Sequence, residues 1–454
     1  MNELYIFYGI LIAPAIAALA GFSKHWKFVS GITMVASVIS VLLSLLLFFT
    51  TSTINNSWFF VDYISKTMLL VISTTFVLAS FHTLVCIKRV EEFFLPQNYY
   101  LMLLNLFSLT MFLAVSTPDI GYAWIWLESS TIVSAALILM ERGKAHIESA
   151  WRYIIIASSG LALALVSVIL FGRVADGFLW SVKITGPISL LIGVLALLGF
   201  GTKAGLFPMH TWLPDAHGTA PSPVSAMLSG ALLPSALIVF YRIYQSLLSP
   251  ALFYATLTIG ILTVLVAGTL MLSQRKLKRI LAYSSMDVMG IATVGIALTI
   301  YYPYLIEYVL LIFGVHALAK SSLFLAAGTL KRKGLDNLQS THSLIKMSPA
   351  LSFTVAFSAL AVTGAPPFGM FIGELAILSK LSFNMYAFVS LLTGFVLSFL
   401  ALNYWSLRII FPSEDSHEEV EFKLRDSAVP LAGAITMLVV SFFIYTWFVW
   451  GWFP

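Results

Sequence analysis

The sequence predicts an all-α polytopic membrane protein of about fourteen transmembrane helices. Three observations carry that prediction. Apolar residues make up 59% of the chain and charged residues only 10%, with a mean hydropathy of +0.95, outside the range of soluble globular domains. Apolar windows long enough to span a bilayer recur from one end of the chain to the other. Basic residues fall mostly in alternate loops.

The apolar windows lie near 4–22, 28–50, 62–87, 99–116, 119–139, 152–172, 187–207, 221–247, 251–272, 280–300, 304–329, 349–382, 386–411 and 429–450. Each approaches or exceeds the roughly 20 residues that cross a hydrocarbon core. Short connections leave no room for a separate soluble domain, so residues 1–454 are expected to form a single membrane domain. Within it, 1–98 are N-terminal helices, 99–247 a first five-helix unit, 251–411 a second, and 429–450 a last helix. Glu3 and the lack of a basic residue before the first apolar run argue against signal-peptide cleavage at Ala13-Pro14-Ala15.

Of the 25 Lys and Arg residues, eighteen fall on the side reached after odd-numbered spans and five on the other, with Lys203 and Lys320 at membrane depth. The positive-inside rule then places both termini outside a cell (cytoplasmic) membrane. The sequence pI of 9.1 is explained by these loops, and no nucleic-acid partner is expected. The lone Cys86 excludes an intrachain disulfide, a CxxC site and a cysteine-ligated cluster held by this chain alone. No GxxxxGK[ST] run is present, and Gly199-Phe200-Gly201-Thr202-Lys203 lies within an apolar segment closed to nucleotides.

An ionisable side chain within a span costs about 2.5–3.5 kcal/mol on insertion scales, so each such residue requires a reason. The candidates are Glu128, Lys203, Asp287, His316, Lys320 and Glu374. Glu128, in Trp124-Ile125-Trp126-Leu127-Glu128-Ser129-Ser130, has no basic residue one turn away on its own helix, so its partner must come from another. Lys203 is surrounded by Gly199, Gly201, Gly205 and Pro208, and Glu374 follows Gly364, Pro366, Pro367 and Gly369. Interrupted helices at membrane depth expose backbone polar groups that are tolerated where they line a polar cavity.

The two interruptions lie five spans apart, the sequence shape of an inverted repeat. His316 and Lys320 are four residues apart and share a helix face. A buried lysine beside a histidine suits proton relay, and Glu128, Lys203, His316, Lys320 and Glu374 form the predicted proton pathway.

The alternative for any one of these residues is a structural ion pair pinning two helices. Asp287 has a competing reading, pairing near the interface with the basic run Arg275–Arg279, and stands as an accessory position. His210 and His217, with Asp215 between them, have the side chains of a metal site. Capping groups in a polar re-entrant loop explain them better, so they too are accessory and no metal is expected. The acidic stretch Glu414–Glu421 reads as a solvated connection, and Trp447, Trp450 and Trp452 as an interfacial belt.

Four stretches carry a resemblance to a known family. They are Lys203-Ala-Gly-Leu-Phe-Pro-Met-His-Thr-Trp-Leu-Pro-Asp-Ala-His217 with the Ala220-Pro-Ser-Pro-Val-Ser-Ala-Met-Leu-Ser-Gly230 that follows; Lys278-Arg279-Ile280-Leu281-Ala282-Tyr283-Ser284-Ser285; His316 with Lys320; and Pro366-Pro367-Phe368 leading to Gly373-Glu374. At these residues the chain resembles the proton-conducting antiporter-like subunits of respiratory complex I, group 4 membrane-bound hydrogenases, formate hydrogenlyases and multisubunit sodium/proton antiporters, and is most similar to the hydrogenase-type branch.

The resemblance implies fourteen helices with two inverted five-helix units, each holding a broken helix. It implies that Glu128 is the acid partner of Lys203, Lys320 the connecting lysine and Glu374 the terminal acid. It implies further that the chain moves protons, or sodium, beside other membrane subunits and a peripheral redox arm. Iron–sulfur, nickel–iron, flavin or quinone groups are then expected in partner subunits only, so the enzymatic class of the chain itself stays open. One departure is Pro234, which stands where many relatives carry an eighth-span lysine. That departure keeps a non-conducting scaffold role among the alternatives, beside a subunit of a sodium/proton antiporter.

Overall fold

A computed structural model describes residues 3–87, 96–337, 343–411 and 422–449. Lys88, Arg89, His342, His417, the acidic stretch of 414–421, Trp450 and Trp452 lie outside the described residues, as do the side chains of Cys86 and Trp447. The chain divides into two compact units, residues 1–255 and 256–454.

The first unit holds α1 (Glu3–Ala20), α2 (Trp26–Phe48), a short hairpin of β1 (Ile54–Asn55) and β2 (Phe60–Val61), α3 (Tyr63–Ile87), α4 (Gln97–Ser116), α5 (Ile120–Ile138), α6 (Lys144–Ala175), α7 (Pro187–Ala204), α8 (Trp212–Thr219), α9 (Ser222–Met227), a π-helical turn (Leu228–Leu232) and α10 (Leu233–Ser246). The boundary falls inside α11 (Pro250–Leu272). The second unit continues with α12 (Leu277–Leu298), α13 (Leu305–Arg332), α14 (Leu344–Met347), α15 (Pro349–Val362), α16 (Gly369–Ser379), α17 (Met385–Ile410) and α18 (Leu424–Val449).

Among the described residues twelve helices are long and apolar enough to cross a membrane. Three of these segments, Ser222–Ser246, Leu277–Leu298 and Leu305–Arg332, are almost wholly buried within the protein, so their polar residues can be met by protein groups. Others, such as α2, α17 and α18, leave most of their apolar surface outward, as lipid-facing helices do. The apolar window near 349–382 is two shorter helices, α15 and α16.

The two helix interruptions share one local construction. Gly205 ends α7 at φ +77°, Leu206 N–H reaches back to Gly201 C=O at 2.8 Å, and the Phe207–Pro208 peptide is cis. Gly364 follows α15 at φ +67°, Ala365 N–H reaches back to Leu360 C=O at 3.1 Å, and the Pro366–Pro367 peptide is cis. In each case a left-handed glycine turns the chain so that the next amide satisfies a carbonyl that the ended helix would leave open. A proline three residues after the glycine then prevents the helix from resuming at once.

Pro234 is accommodated by a different device. It has no N–H to donate, and it sits just after the π-helical turn, where Leu233 N–H bonds Leu228 C=O. The wider turn takes up an extra residue ahead of the proline.

A buried ion pair anchors the hairpin to α10. Arg242 Nη1 donates to Asp62 Oδ2 at 2.7 Å, and its other terminal nitrogen donates to Asp62 Oδ1 and to Ser65 Oγ. The guanidinium lies 5.4 Å from the ring centroids of both Phe60 and Trp180. Burial raises the Asp62 pKa, but hydrogen bonds and charge from Arg242 outweigh it and hold the carboxyl below its ordinary value. Planar, bidentate pairing of this kind belongs to Arg and cannot be copied by Lys.

Two predictions follow from this architecture. Asp62→Asn strands a buried guanidinium and lowers stability on the order of 3 kcal/mol, read as a fall in melting temperature in mild detergent. Because the folded pKa of Asp62 is depressed, that stabilisation is full above the unfolded carboxylate value of about 3.9 and is lost as pH falls through the folded value. The gap between wild type and variant is therefore wide at neutral pH and closes in strong acid.

Gly364→Ala puts a side chain at a left-handed φ of +67° and displaces the Glu374 carboxylate that lies against Gly364, so it should reduce the amount of folded, assembled protein. Gly314→Ala, where a Cβ meets nothing within 4 Å, should leave the amount unchanged or raise it. Equal yields of the two variants would remove the packing role given to Gly364.

Candidate functional site

In the first unit, Lys203 occupies the last turn of α7, just before Gly205, and is fully buried. Its position follows from the interruption: the helix ends there because Gly205 can adopt the left-handed conformation, and the lysine is carried to the end of a membrane-depth helix. Lys203 Nζ donates to Thr131 Oγ1 at 2.6 Å and to Tyr153 Oη at 2.8 Å. Tyr153 Oη is also hydrogen-bonded to Ser134 Oγ at 2.8 Å. With the ring centroid 5.1 Å away, the ammonium meets the hydroxyl edge of Tyr153 rather than its face.

Glu128, on α5 one turn before Thr131, accepts a hydrogen bond from Ser158 Oγ at 2.6 Å through Oε1, while its buried Oε2 has no hydrogen-bond partner. No ion pair within 4.0 Å joins Glu128 to Lys203. The two interact electrostatically at longer range, with a set of hydroxyl groups holding each. The acid and the base expected to pair are thus brought into one site but held out of contact.

The frame around them is tight. A Cβ on Gly160 would meet Thr202 Cβ at 2.4 Å, and one on Gly199 would meet the Ala164 backbone at 2.5 Å, so α6 and α7 approach closely through small residues. Trp212, at the start of α8, packs against Tyr153 with ring centroids 4.7 Å apart and planes inclined at 38°, and donates its indole N–H to Thr202 C=O at 2.8 Å. Trp124, one turn before Glu128, donates its Nε1–H to Leu161 C=O at 2.7 Å, tying α5 to α6.

His210 lies between α7 and α8, mostly buried, with its ring 5.9 Å from that of Phe207. His217, on α8, is fully buried, and its carbonyl accepts from Ser225 Oγ. Asp215 instead meets Arg152 at 3.5 Å near the surface. Among the described residues no group of three or more His, Cys, Asp or Glu is placed to hold a metal ion.

In the second unit, His316 and Lys320 are both fully buried on α13. Lys320 Nζ donates to Leu281 C=O on α12 at 2.9 Å, a carbonyl that also accepts from Ser285 Oγ. Asp287, on the same helix, is buried, and its Oδ1 has no hydrogen-bond partner. It interacts electrostatically with Lys320 and with Glu374, which brings it into the company of the buried charges rather than the basic run of 275–279. Glu374, on α16, presses its carboxylate against Gly364 at the interruption.

Tyr153, Thr131, Ser134 and Ser158 went unnoticed in the sequence because hydroxyl groups in a span carry no charge to mark them. A signal was nonetheless present: Glu128, Thr131 and Ser134 recur at three-residue spacing on an apolar helix, a polar stripe at helical period.

Comparison with known proteins agrees with this architecture. The chain is 33% identical to a hydrogenase-4 component F homolog of Methylacidiphilum infernorum over 293 residues, covering 60% of each protein. It is 26% identical to hydrogenase-4 component B of Escherichia coli over 332 residues, 69% of this chain and 49% of that one. These matches thus span only about half to three-fifths of the relatives' length.

Among solved structures, its fold is similar to a chain of an archaeal membrane-bound sulfane sulfur reductase (TM-score 0.83, 20% identity, 98% and 96% of the two chains covered). It is also similar to a chain of the Mrp complex of Dietzia (TM-score 0.81, 19% identity, 97% and 93% covered). Residues 117–401, which contain Glu128, Lys203, Asp287, His316, Lys320 and Glu374, match the family described as NADH:quinone oxidoreductase/Mrp antiporter, TM, and the chain belongs to that family.

Proposed function

We propose that the chain is a proton-translocating, antiporter-like subunit of a redox-driven membrane complex of the complex I or group 4 hydrogenase kind. Protons pass by way of Glu128, Lys203, His316, Lys320 and Glu374, with Asp287 as a further acid of the second unit. The observation that carries this reading is the state of the two buried lysines. A lysine kept only to pin helices would hold a carboxylate in direct contact, because an unpaired buried charge is costly. Lys203 instead rests on two hydroxyls and Lys320 on a backbone carbonyl, with acids nearby but not touching. Such partners tolerate a lysine that gains and loses its proton.

The driving change reaches the Glu128–Lys203 site from neighbouring membrane subunits. Redox groups, whether iron–sulfur, nickel–iron, flavin or quinone, belong to those partners and to a peripheral arm. Fourteen spans are supported by adding α5 and the interrupted α15–α16 segment to the twelve long apolar helices. Two inverted five-helix units, 99–247 and 251–411, are supported by the common construction of the two interruptions. Both termini then lie outside the cytoplasmic membrane. His210 and His217 are accessory groups of the re-entrant segment.

Two further readings have specific support. The family includes Mrp antiporters, which favours sodium/proton exchange as the second reading. Pro234, fitted by a π-helical turn in place of a lysine, favours a non-conducting scaffold as the third.

The test is ion translocation by the assembled complex in native membrane vesicles. Glu128→Gln and Lys203→Ala should each reduce it by about tenfold or more, within the range set by loss of a proton-transfer group, while the complex still assembles. Glu374→Gln should do the same. Wild-type pH-gradient formation in all three variants would establish the scaffold reading instead, and a gradient that forms only with sodium present and without an electron donor would establish the antiporter.

A further inference from the structure

We propose that Tyr153 is a positioning residue for Lys203. Its hydroxyl, together with that of Thr131, forms a cage that keeps the ammonium apart from Glu128, and opening the cage is the step that lets base and acid meet. The inference rests on the reading of Glu128 and Lys203 as a coupled pair, and adds what sets their separation.

An ammonium group has three donors. Two are occupied, by Thr131 Oγ1 at 2.6 Å and Tyr153 Oη at 2.8 Å, which leaves one for a carboxylate. The Tyr153 hydroxyl is fixed in turn by Ser134 at 2.8 Å, and its ring by Trp212 packed against it with centroids 4.7 Å apart. Trp212 is hydrogen-bonded to the carbonyl of Thr202, the residue before Lys203, so the ring cannot swing aside while the interruption of α7 keeps its shape.

The acid has its own holder. Ser158 Oγ binds Glu128 Oε1 at 2.6 Å, and Ser158 stands on α6, as Tyr153 does. One helix therefore carries the group that restrains the base and the group that restrains the acid. A displacement of α6 relative to α5 and α7 would loosen both together, whereas motion of either side chain alone would free only one.

The test uses the assembled complex in native membrane vesicles, with ion translocation recorded across pH. Tyr153→Phe keeps the ring against Trp212 and removes only the hydroxyl. The expected result is a fall in translocation of about tenfold and a displacement of the pH profile by about one unit. In the pair Tyr153→Phe with Glu128→Gln, the loss should be no greater than in Glu128→Gln alone, since two groups acting on one event are not additive.

Asp62→Asn, which weakens the fold at the hairpin and leaves both cage hydroxyls and Trp212 in place, should lower yield and keep the wild-type pH profile. Should Tyr153→Phe fail to assemble, Thr131→Val removes the other hydroxyl of the cage and should move the profile likewise. A wild-type profile in Tyr153→Phe, or losses that multiply in the double variant, would overturn the proposal while leaving the pathway standing. Unimpaired Glu128→Gln and Lys203→Ala would overturn the pathway itself.

Discussion

The rest of the structure depends on the cost of keeping a lysine charge where water is scarce. A membrane-depth ammonium must be solvated by the protein, and this chain does so with groups that carry no charge of their own. Around Lys203 they are two hydroxyls; around Lys320, a helix carbonyl. Neutral partners accept a hydrogen bond from the amino group in either protonation state and commit it to no single acid. Close packing of small residues between α6 and α7 and the tryptophan tie across the interruption serve that arrangement, because hydroxyls solvate a cation only when held within about 3 Å of it.

The interruptions are the second half of the same arrangement. A continuous helix satisfies all its backbone groups internally and has little to offer a buried ion. Ending α7 and α15 with left-handed glycines brings a titratable residue beside each end while the freed carbonyls remain satisfied, by Leu206 in one case and Ala365 in the other. Gly364 does more than turn the chain: its bare Cα is the surface against which the Glu374 carboxylate rests. Backbone geometry and acid placement are thus one constraint at that residue.

Much of the fold was legible in the sequence because bilayer thickness imposes a length and a polarity that composition cannot hide. Gly205, Pro208, Gly364 and Pro367 announced the interruptions, and Lys203, Lys320, Glu128 and Glu374 stood out as charges in apolar runs. Three things were not legible. Whether Asp287 joined the interfacial arginines or the buried lysine depended on helix rotation, which a single apolar segment does not encode. The separation of Glu128 from Lys203 depended on hydroxyls contributed by α5 and α6, far from Lys203 in sequence. The π-helical turn before Pro234 could not be foreseen, since its residues Leu228-Ser229-Gly230-Ala231-Leu232 are ordinary helix formers apart from one glycine.

That turn bears on how this chain is aligned with its relatives. A π-helical turn behaves as a one-residue insertion, and each residue of an α-helix advances the azimuth by about 100°. Side chains of α10 beyond Leu232 are therefore carried around the helix axis relative to those of an uninterrupted helix of the same sequence. Residues that occupy the same column of an alignment need not occupy the same azimuth in space. Which side chain of Leu233–Ser246 takes the direction of a relative's lysine is thus a question of helical phase, to be answered by superposing backbones rather than by counting along the chain.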